Sequence, residues 1–237
     1  VISAIIPVRN MEKYIGRAIE SLKAQIEQVD EIIVADDGST DGTSEVAKAY
    51  GADEIIRNPN TDQPWGICGG RNIALKEAHG DFILPLDADD WIAPTYTAKT
   101  LEKMTNPKVA IVSTQMVYHE QHEGEIVPAR KQVYWTELRA NNITVTSLVR
   151  RAALEQAGEW DHNLRGWEDW DMWLRILKLG WEHEVVHEPL FHYRLHTSGM
   201  NAWANVHENK QRLYGYLLSK HPGFGVWRQN GETFNGI

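Results

Sequence analysis

Ile2-Ser3-Ala4-Ile5-Ile6-Pro7-Val8 is an apolar, β-branched run of strand length. Behind it, Met11 to Gln25 carries Ile15, Ala18, Ile19 and Leu22 at helical spacing, and Glu31 to Ala35 repeats the strand pattern. Strand, helix and strand on short connections make a right-handed βαβ unit whose two strands run parallel. Every later assignment in the first third of the chain extends that unit.

Asp36-Asp37-Gly38-Ser39-Thr40-Asp41 is a turn that supplies N-cap candidates for a helix from Gly42 to Tyr50, with Gly51 as its stop. Ala52 to Arg57 predicts a third strand, and Asn58 to Gly70, rich in Pro, Asn and Gly, a loop. A helix from Arg71 to Ala78 leads through Gly80 into the strand Phe82-Ile83-Leu84-Pro85-Leu86. Pro94 opens a helix to about Met104, and Val109 to Ser113 is a strand. From Gln115 to Tyr134 short alternating pieces suggest β-hairpins. Thr144 to Val149 reads as a strand, Arg151 to Ala157 as a helix closed by Gly158, and Glu168 to Leu179 as an amphipathic helix closed by Gly180. Trp181 to Arg194 is extended with a break at Pro189, Trp203 to Lys220 is a final helix, and the tail after Pro222 is expected to be loosely ordered. One domain over residues 1–220 followed by a tail at 221–237 is the simplest organisation, with a nucleotide-type half at 1–114 and a second half at 115–220.

The 237 residues suffice for a proper core, and 42% hydrophobic with 24% charged residues is ordinary for a soluble globular chain. A net charge of −9 opposes broad contact with nucleic acid or an anionic membrane. A single cysteine, Cys68, permits no internal disulfide. No apolar run reaches the roughly 20 residues of a membrane span. The opening strand-like run lacks a signal-peptide pattern, so a cytoplasmic location is expected.

Open parallel sheets bind ligands beyond the carboxyl ends of their strands. Three clusters fall at such ends: Pro7-Val8-Arg9-Asn10, Asp36-Asp37-Gly38-Ser39 and Asp87-Ala88-Asp89-Asp90. The second offers a carboxylate for a base edge or a ribose and a glycine that lets backbone approach a ligand; taken alone it is also a plain turn. The third sets three carboxylates together where a strand runs out, which suits solvent, a hard divalent cation such as Mg²⁺ or Mn²⁺, or both. No Walker-type loop and no dinucleotide fingerprint occurs, so a diphosphate here needs a metal to offset its charge. That gives Asp89 the task of direct ligand, Asp87 that of holding ribose or a metal-bound water, and Asp90 that of second ligand, orienting group or cap.

Pro7 to Asn10, Asp36 to Asp41, Gly70-Arg71-Asn72, Asp87 to Asp90 and Gly166-Trp167-Glu168-Asp169-Trp170-Asp171 follow, in order and at similar spacing, the pattern of the family 2 glycosyltransferases. The resemblance runs from about Val1 to Asn201. It implies the GT-A fold: an α/β protein with a Rossmann-like, mostly parallel central sheet flanked by helices and a smaller mixed sheet on the acceptor side. It also implies inverting transfer of a sugar from a nucleotide diphosphate, usually a UDP-sugar, to a hydroxyl of a glycan or other acceptor, with Mn²⁺ or Mg²⁺. The donor site then comprises Pro7, Val8, Arg9, Asn10, Asp36, Gly38, Arg71, Asp87 and Ala88; Asp87 and Asp89 hold ribose and metal, and Asp169 resembles the catalytic base. His196, in Tyr193-Arg194-Leu195-His196, resembles a histidine that reaches back to the metal, and Arg194 can pair with phosphate.

Single displacement needs one carboxylate to take the acceptor proton while the sugar passes through an oxocarbenium-like state. Asp169, at the start of a helix, is also placed to be a dipole-favoured cap, and Glu168 is the alternative base. Trp170 and Trp173, at helical spacing with Leu174 and Leu177, read as core; Trp167 and Trp135 are the candidates for stacking on an acceptor. His183-Glu184-Val185-Val186-His187 matches a zinc-protease motif that works only on a helix. Here the alternation indicates a strand, which would hold the two histidines roughly 13 Å apart, too far for one ion. Two other readings stay open: a nucleotidyltransferase acting on a sugar phosphate, and a non-catalytic sugar- or nucleotide-binding module.

Overall fold

The computed structural model describes residues 1–196 and 206–224 in full and 226–229 and 232–235 as backbone. β1 (Ile2–Val8), α1 (Ile15–Lys23), β2 (Glu31–Asp36), α2 (Thr43–Tyr50), β3 (Glu54–Arg57), α3 (Gly66–Glu77) and β4 (Phe82–Pro85) alternate along the first third. β3, β2, β1 and β4 lie side by side in that order, all parallel. All seven residues of β1 are buried. Helices cover both faces of the sheet, so the strand is apolar at every position but Ser3 rather than alternating.

The two faces are separate cores. Ile2, Ala4, Ile6 and Val8 pack with Ile15, Ile19 and Leu22 of α1 and Ala47 of α2, whereas Ile5 packs with Cys68 and Ala74 of α3. Burying Ile15, Ile19 and Leu22 stabilises the fold by about 1.5–3 kcal/mol apiece. Burial pushes the Cys68 thiol up to about 12, so it stays a neutral core group.

The chain continues through β5 (Trp91–Ile92), α4 (Tyr96–Lys103), β6 (Val109–Glu120), β7 (Ile126–Val127), α5 (Tyr134–Glu137), β8 (Leu148–Arg150), α6 (Arg151–Ala157), α7 (Glu168–Lys178), β9 (Glu182–Leu195) and α8 (His207–Lys220). β8 runs antiparallel to β4 and β6, β9 is parallel to β6, and β5 and β7 are antiparallel additions. The mixed strands are therefore one end of a single nine-stranded sheet. α8 docks on α7 through Leu213 and Leu217 against Trp170 and Leu174, and Phe224 joins them.

The helix expected from Arg71 begins at Gly66 and so includes the glycines read as loop. A Cβ on Gly70 would stand 2.9 Å from the Cβ of Pro7, so glycine lets α3 lie directly on β1; that packing overrides the low helix propensity. β6 extends past Ser113 to Glu120 because β9 pairs with it along its whole length. The ladder shifts register around Gln115, opposite Pro189, which has no N–H to donate. The strand expected at Thr144 is confined to Leu148–Arg150, and α5 had no sequence signal. α8 begins at His207 within the described residues, and Trp203 lies outside them. Val226–Gln229 and Glu232–Asn235 pair as an antiparallel hairpin, β10 and β11. No helix among the described residues is long and apolar enough to cross a membrane.

Candidate active site

β2, β1 and β4 are adjacent and parallel, so their carboxyl ends open on one crevice. Pro7 is buried against Gly70, Val8 is buried, and Arg9 is exposed at the rim. Asn10 adopts φ 54°, a left-handed conformation that asparagine tolerates. Its backbone N–H donates to Ser39 Oγ at 2.9 Å and its Oδ1 accepts from Thr40 N at 2.8 Å. Met11 N–H donates to Thr43 Oγ1 at 2.8 Å. The loop after β1 is thus fastened to the loop after β2, and both form the floor of the crevice.

The paired aspartates of the second loop are turned inward. Asp36 Oδ1 accepts from Ser39 N at 2.8 Å and Oδ2 accepts from the Ser44 hydroxyl. Asp37 Oδ1 accepts from Asn58 Nδ2 and Trp65 N, each at 2.8 Å, and Oδ2 from Gly66 N at 3.0 Å, which caps the start of α3. Gly38, at φ 72°, turns the chain directly after them, and a Cβ there would stand 2.6 Å from Thr61 Cγ2. Asp36 and Gly38 therefore shape this wall of the crevice, with both carboxylates already engaged in holding loops.

Arg71 ties the far wall together. Its fully buried guanidinium donates from Nη2 to Asp87 Oδ1 at 2.8 Å and from Nη1 to Glu168 Oε1 at 2.7 Å, while Nε has no partner. Burial opposes its charge, but Asp87 and Glu168 outweigh that and hold it protonated. One side chain from α3 thereby links the acidic turn after β4 to the first residue of α7. Asp169 follows, half-buried at the crevice, with Oδ1 accepting from Trp170 N at 2.8 Å and Oδ2 from Asn141 Nδ2 at 3.2 Å. Desolvation, and then the charge of Glu168, push its carboxyl up to about 7. Trp167 enters α7 at φ 63°, a backbone region costly for a bulky residue. Its ring meets Trp170 edge-on with centroids 5.5 Å apart. Trp135 stands 69% exposed on α5, available to a ligand or partner.

Asp89 lies beside Asp87, with Ala88 buried between them. Desolvation and then Asp87 raise the Asp89 carboxyl above its ordinary range. His196 Nε2 is 3.0 Å from Asp89 Oδ2, and its Nδ1 is 3.3 Å from Glu120 Oε2. Asp90 is buried: Oδ1 accepts from Arg194 N at 2.8 Å and Oδ2 has no partner. Burial, with Asp89 and Asp87 alongside, raises its carboxyl well above the usual range. Arg194 also donates from Nε to the Asp89 carbonyl at 3.0 Å and from Nη1 to Glu120 at 2.7 Å. The end of β9 is therefore pinned to the acidic turn, which brings His196 to Asp89.

A divalent cation fits this donor set. Asp89 and His196 offer a carboxylate oxygen and an imidazole nitrogen that converge within 3.0 Å and are 20% and 26% exposed. Crowded carboxylates with raised proton affinity are the environment a cation relieves. Among the described residues no three His, Cys, Asp or Glu side chains form a metal cluster, so the remaining ligands would be phosphate oxygens or water. Asp87, engaged by Arg71, borders the site. His183 and His187 lie on β9 rather than on a helix. His183 accepts from Gln132 N at Nδ1, 3.0 Å, and its Nε2 is 2.8 Å from Ser113 Oγ.

Sequence reasoning missed Glu120, Asn141 and Glu137. Glu120 follows a strand longer than its pattern showed. Asn141 and Glu137 come from a segment without periodicity, and nothing in the sequence signals their approach to α7.

The family described as "Glycosyl transferase family 2" matches residues 3–156. The putative glycosyltransferase EpsH of Bacillus subtilis is 27% identical over 217 residues, covering 84% of this chain and 62% of the relative. The chain thus spans about three-fifths of that protein's length. S. aureus TarS 1-349 in complex with UDP-GlcNAc superposes with TM-score 0.71 at 22% identity, covering 92% of this chain and 66% of the other. Glucosyl-3-phosphoglycerate synthase from Mycobacterium tuberculosis, in complex with Mn²⁺, UDP and phosphoglyceric acid, superposes with TM-score 0.65 at 20% identity, covering 99% and 85%. Likeness at this level establishes the GT-A fold.

Proposed function

The chain belongs to glycosyl transferase family 2, and from that premise we propose that it moves a sugar from a UDP-sugar to an acceptor hydroxyl, with inversion and with Mn²⁺ or Mg²⁺. The observation that carries this reading is the Arg71 bridge, which joins Asp87 on the acidic turn to Glu168 beside Asp169. It couples the wall that would hold the donor to the carboxylate that would act on the acceptor. Residues 1–114 would hold the nucleotide sugar and 115–220 the acceptor.

In this scheme Pro7, Val8, Arg9, Asn10, Asp36 and Gly38 form the nucleotide wall, and Asp87 takes the ribose. Asp89 and His196 would hold the cation, which supplies positive charge to the departing diphosphate. Glu168 is committed to Arg71, which leaves Asp169 as the group that takes the acceptor proton as the new glycosidic bond forms and the bond to phosphate breaks. A carboxyl raised to about 7 is a stronger base than an ordinary aspartate and is still substantially ionised at neutral pH. Trp167 and Trp135 offer faces on which an acceptor sugar can stack.

The test is UDP release from a panel of UDP-sugars, with water or a candidate glycan as acceptor, with Mn²⁺ and with EDTA, and with the product's anomeric configuration read by NMR. Inverted product and loss of activity in EDTA are expected. Retained configuration would overturn single displacement, and indifference to chelation would overturn the metal role of Asp89 and His196.

A further inference from the structure

We propose that Asn141 is a positioning residue for Asp169, presented by a strap, residues 137–143, laid across the first turns of α7; the proposal rests on Asp169 being the base. Three consecutive contacts define the strap. Trp170 Nε1 donates to the Glu137 carbonyl at 2.7 Å, Asn141 Nδ2 donates to Asp169 Oδ2 at 3.2 Å, and Trp173 Nε1 donates to the Ile143 carbonyl at 3.1 Å. Leu138 and Ile143 are buried in the cores on either side, so the strap is anchored at both ends. Just before the first anchor, the Glu137 carboxyl group accepts from Asn142 N at 3.2 Å and fixes the turn that presents Asn141.

The chemistry of the arrangement follows from lone pairs. Asp169 Oδ1 is held by the backbone N–H of Trp170 and Oδ2 by the Asn141 amide, so among the described residues each oxygen has one donor and keeps a lone pair for an acceptor hydroxyl. An amide that donates to the carboxylate favours its ionised form. Its neighbours divide: Glu168 on the same helix disfavours a second negative charge and Arg71 on α3 favours it, while Glu137 on α5, pushed up to about 8, and Tyr193 on β9, pushed up by burial with the Asp169 charge nearby, are held in their neutral forms. Asn141 is a neutral side chain that donates directly to the carboxylate, so it both aims the base and keeps it ionised.

The experiment compares the full chain with Asn141→Ala and Asn141→Ser. The ¹³Cγ resonance of Asp169, assigned with Asp169→Asn, is titrated by NMR, and UDP release from UDP-N-acetylglucosamine, UDP-glucose and UDP-galactose is followed with UDP affinity measured alongside. Asn141→Ala is expected to raise the Asp169 midpoint by about one pH unit and to lower UDP release about tenfold at pH 7, with UDP affinity and melting temperature unchanged; Asn141→Ser, which keeps a shorter donor, is expected to fall between. An unmoved Asp169 midpoint in Asn141→Ala would overturn the proposal, as would equal losses in UDP affinity and rate, which signal a structural role. UDP release that survives Asp169→Asn would instead overturn the assignment of the base, separately from the Asn141–Asp169 contact that the titration reads.

Discussion

Replacing Arg71 with alanine is the most searching perturbation of this molecule. The guanidinium is fully buried and gives one hydrogen-bonded ion pair to Asp87 and one to Glu168, whose side chains are 22% and 6% exposed. Truncation would strand Glu168 in the interior and leave Asp87 without its counter-charge. Removing one member of a buried pair typically costs about 3–5 kcal/mol, and the deeper burial of Glu168 puts most of that on its side. For a chain of this size that corresponds to a fall in Tm of about 6–20 °C. The stranded carboxylates can shed their charge by taking up protons, so the deficit should be largest near pH 8 and shrink toward pH 5. Lysine, with one compact ammonium in place of a fork, can serve only one carboxylate well and should recover part of the loss. Urea unfolding of the parent, Arg71→Ala and Arg71→Lys at pH 8 and pH 5 measures all of this. A loss below about 1 kcal/mol, or one that does not change with pH, would refute the claim that this single cation holds the donor wall and α7 together.

Asp169→Asn should abolish sugar transfer while leaving UDP affinity within about twofold, read by product formation and by calorimetry. In the parent chain, transfer should fall about tenfold per pH unit below about 7, because the base must be ionised and its carboxyl sits at about 7. The same raised value means that the charged form is disfavoured in the fold, so Asp169→Asn should be more stable than the parent at pH 8 and gain nothing at pH 3.5, as chemical unfolding would show. Asp89→Asn should weaken Mn²⁺ binding in the presence of UDP at least about tenfold, followed by electron paramagnetic resonance. Burial, and then nearby Lys131, hold His183 neutral down to about 3 against an ordinary value near 6.5; this depressed value contributes stability above about pH 6.5 that is lost as pH falls toward 3. His183→Gln should flatten that acid limb in a denaturation series.

The parallel half of the fold was legible because its signals are local. A strand covered on both faces is apolar without alternation, and β1 and β2 say so in the runs Ala4 to Val8 and Ile32 to Ala35. α3 was misread at its start for the opposite reason. Gly69 and Gly70 are poor helix formers, and it is the nearness of His162 to the first and of Pro7 to the second, contacts between distant parts of the chain, that explains why a helix keeps them. β6 was cut short at Ser113 because residues 115–119 are only half-buried and mix polar with apolar side chains, and their partner strand lies about 75 residues further along the chain.

The site divides in the same way. Asp87, Asp89 and Asp169 announce themselves, since carboxylates at a strand end or beside tryptophans need a chemical or capping reason to be there. What the sequence does not carry is the allocation of partners: of Asp36, Asp37, Asp90 and Glu168, each is engaged by groups that the linear pattern gives no reason to choose. The Asp87-to-Asp90 turn shows the consequence. Its first carboxylate faces Arg71, its second faces His196, and its third is drawn inward to Arg194 N. Three neighbouring acids thereby point to three different elements, α3, the residue following β9, and β9 itself. A cation at Asp89 would bear directly on only one of them, while the other two fix the turn against the helix and the strand that complete the crevice. Asp90 therefore belongs to the architecture of the site, and His196 reaches Asp89 because Asp90 and Arg194 hold the strand end in place.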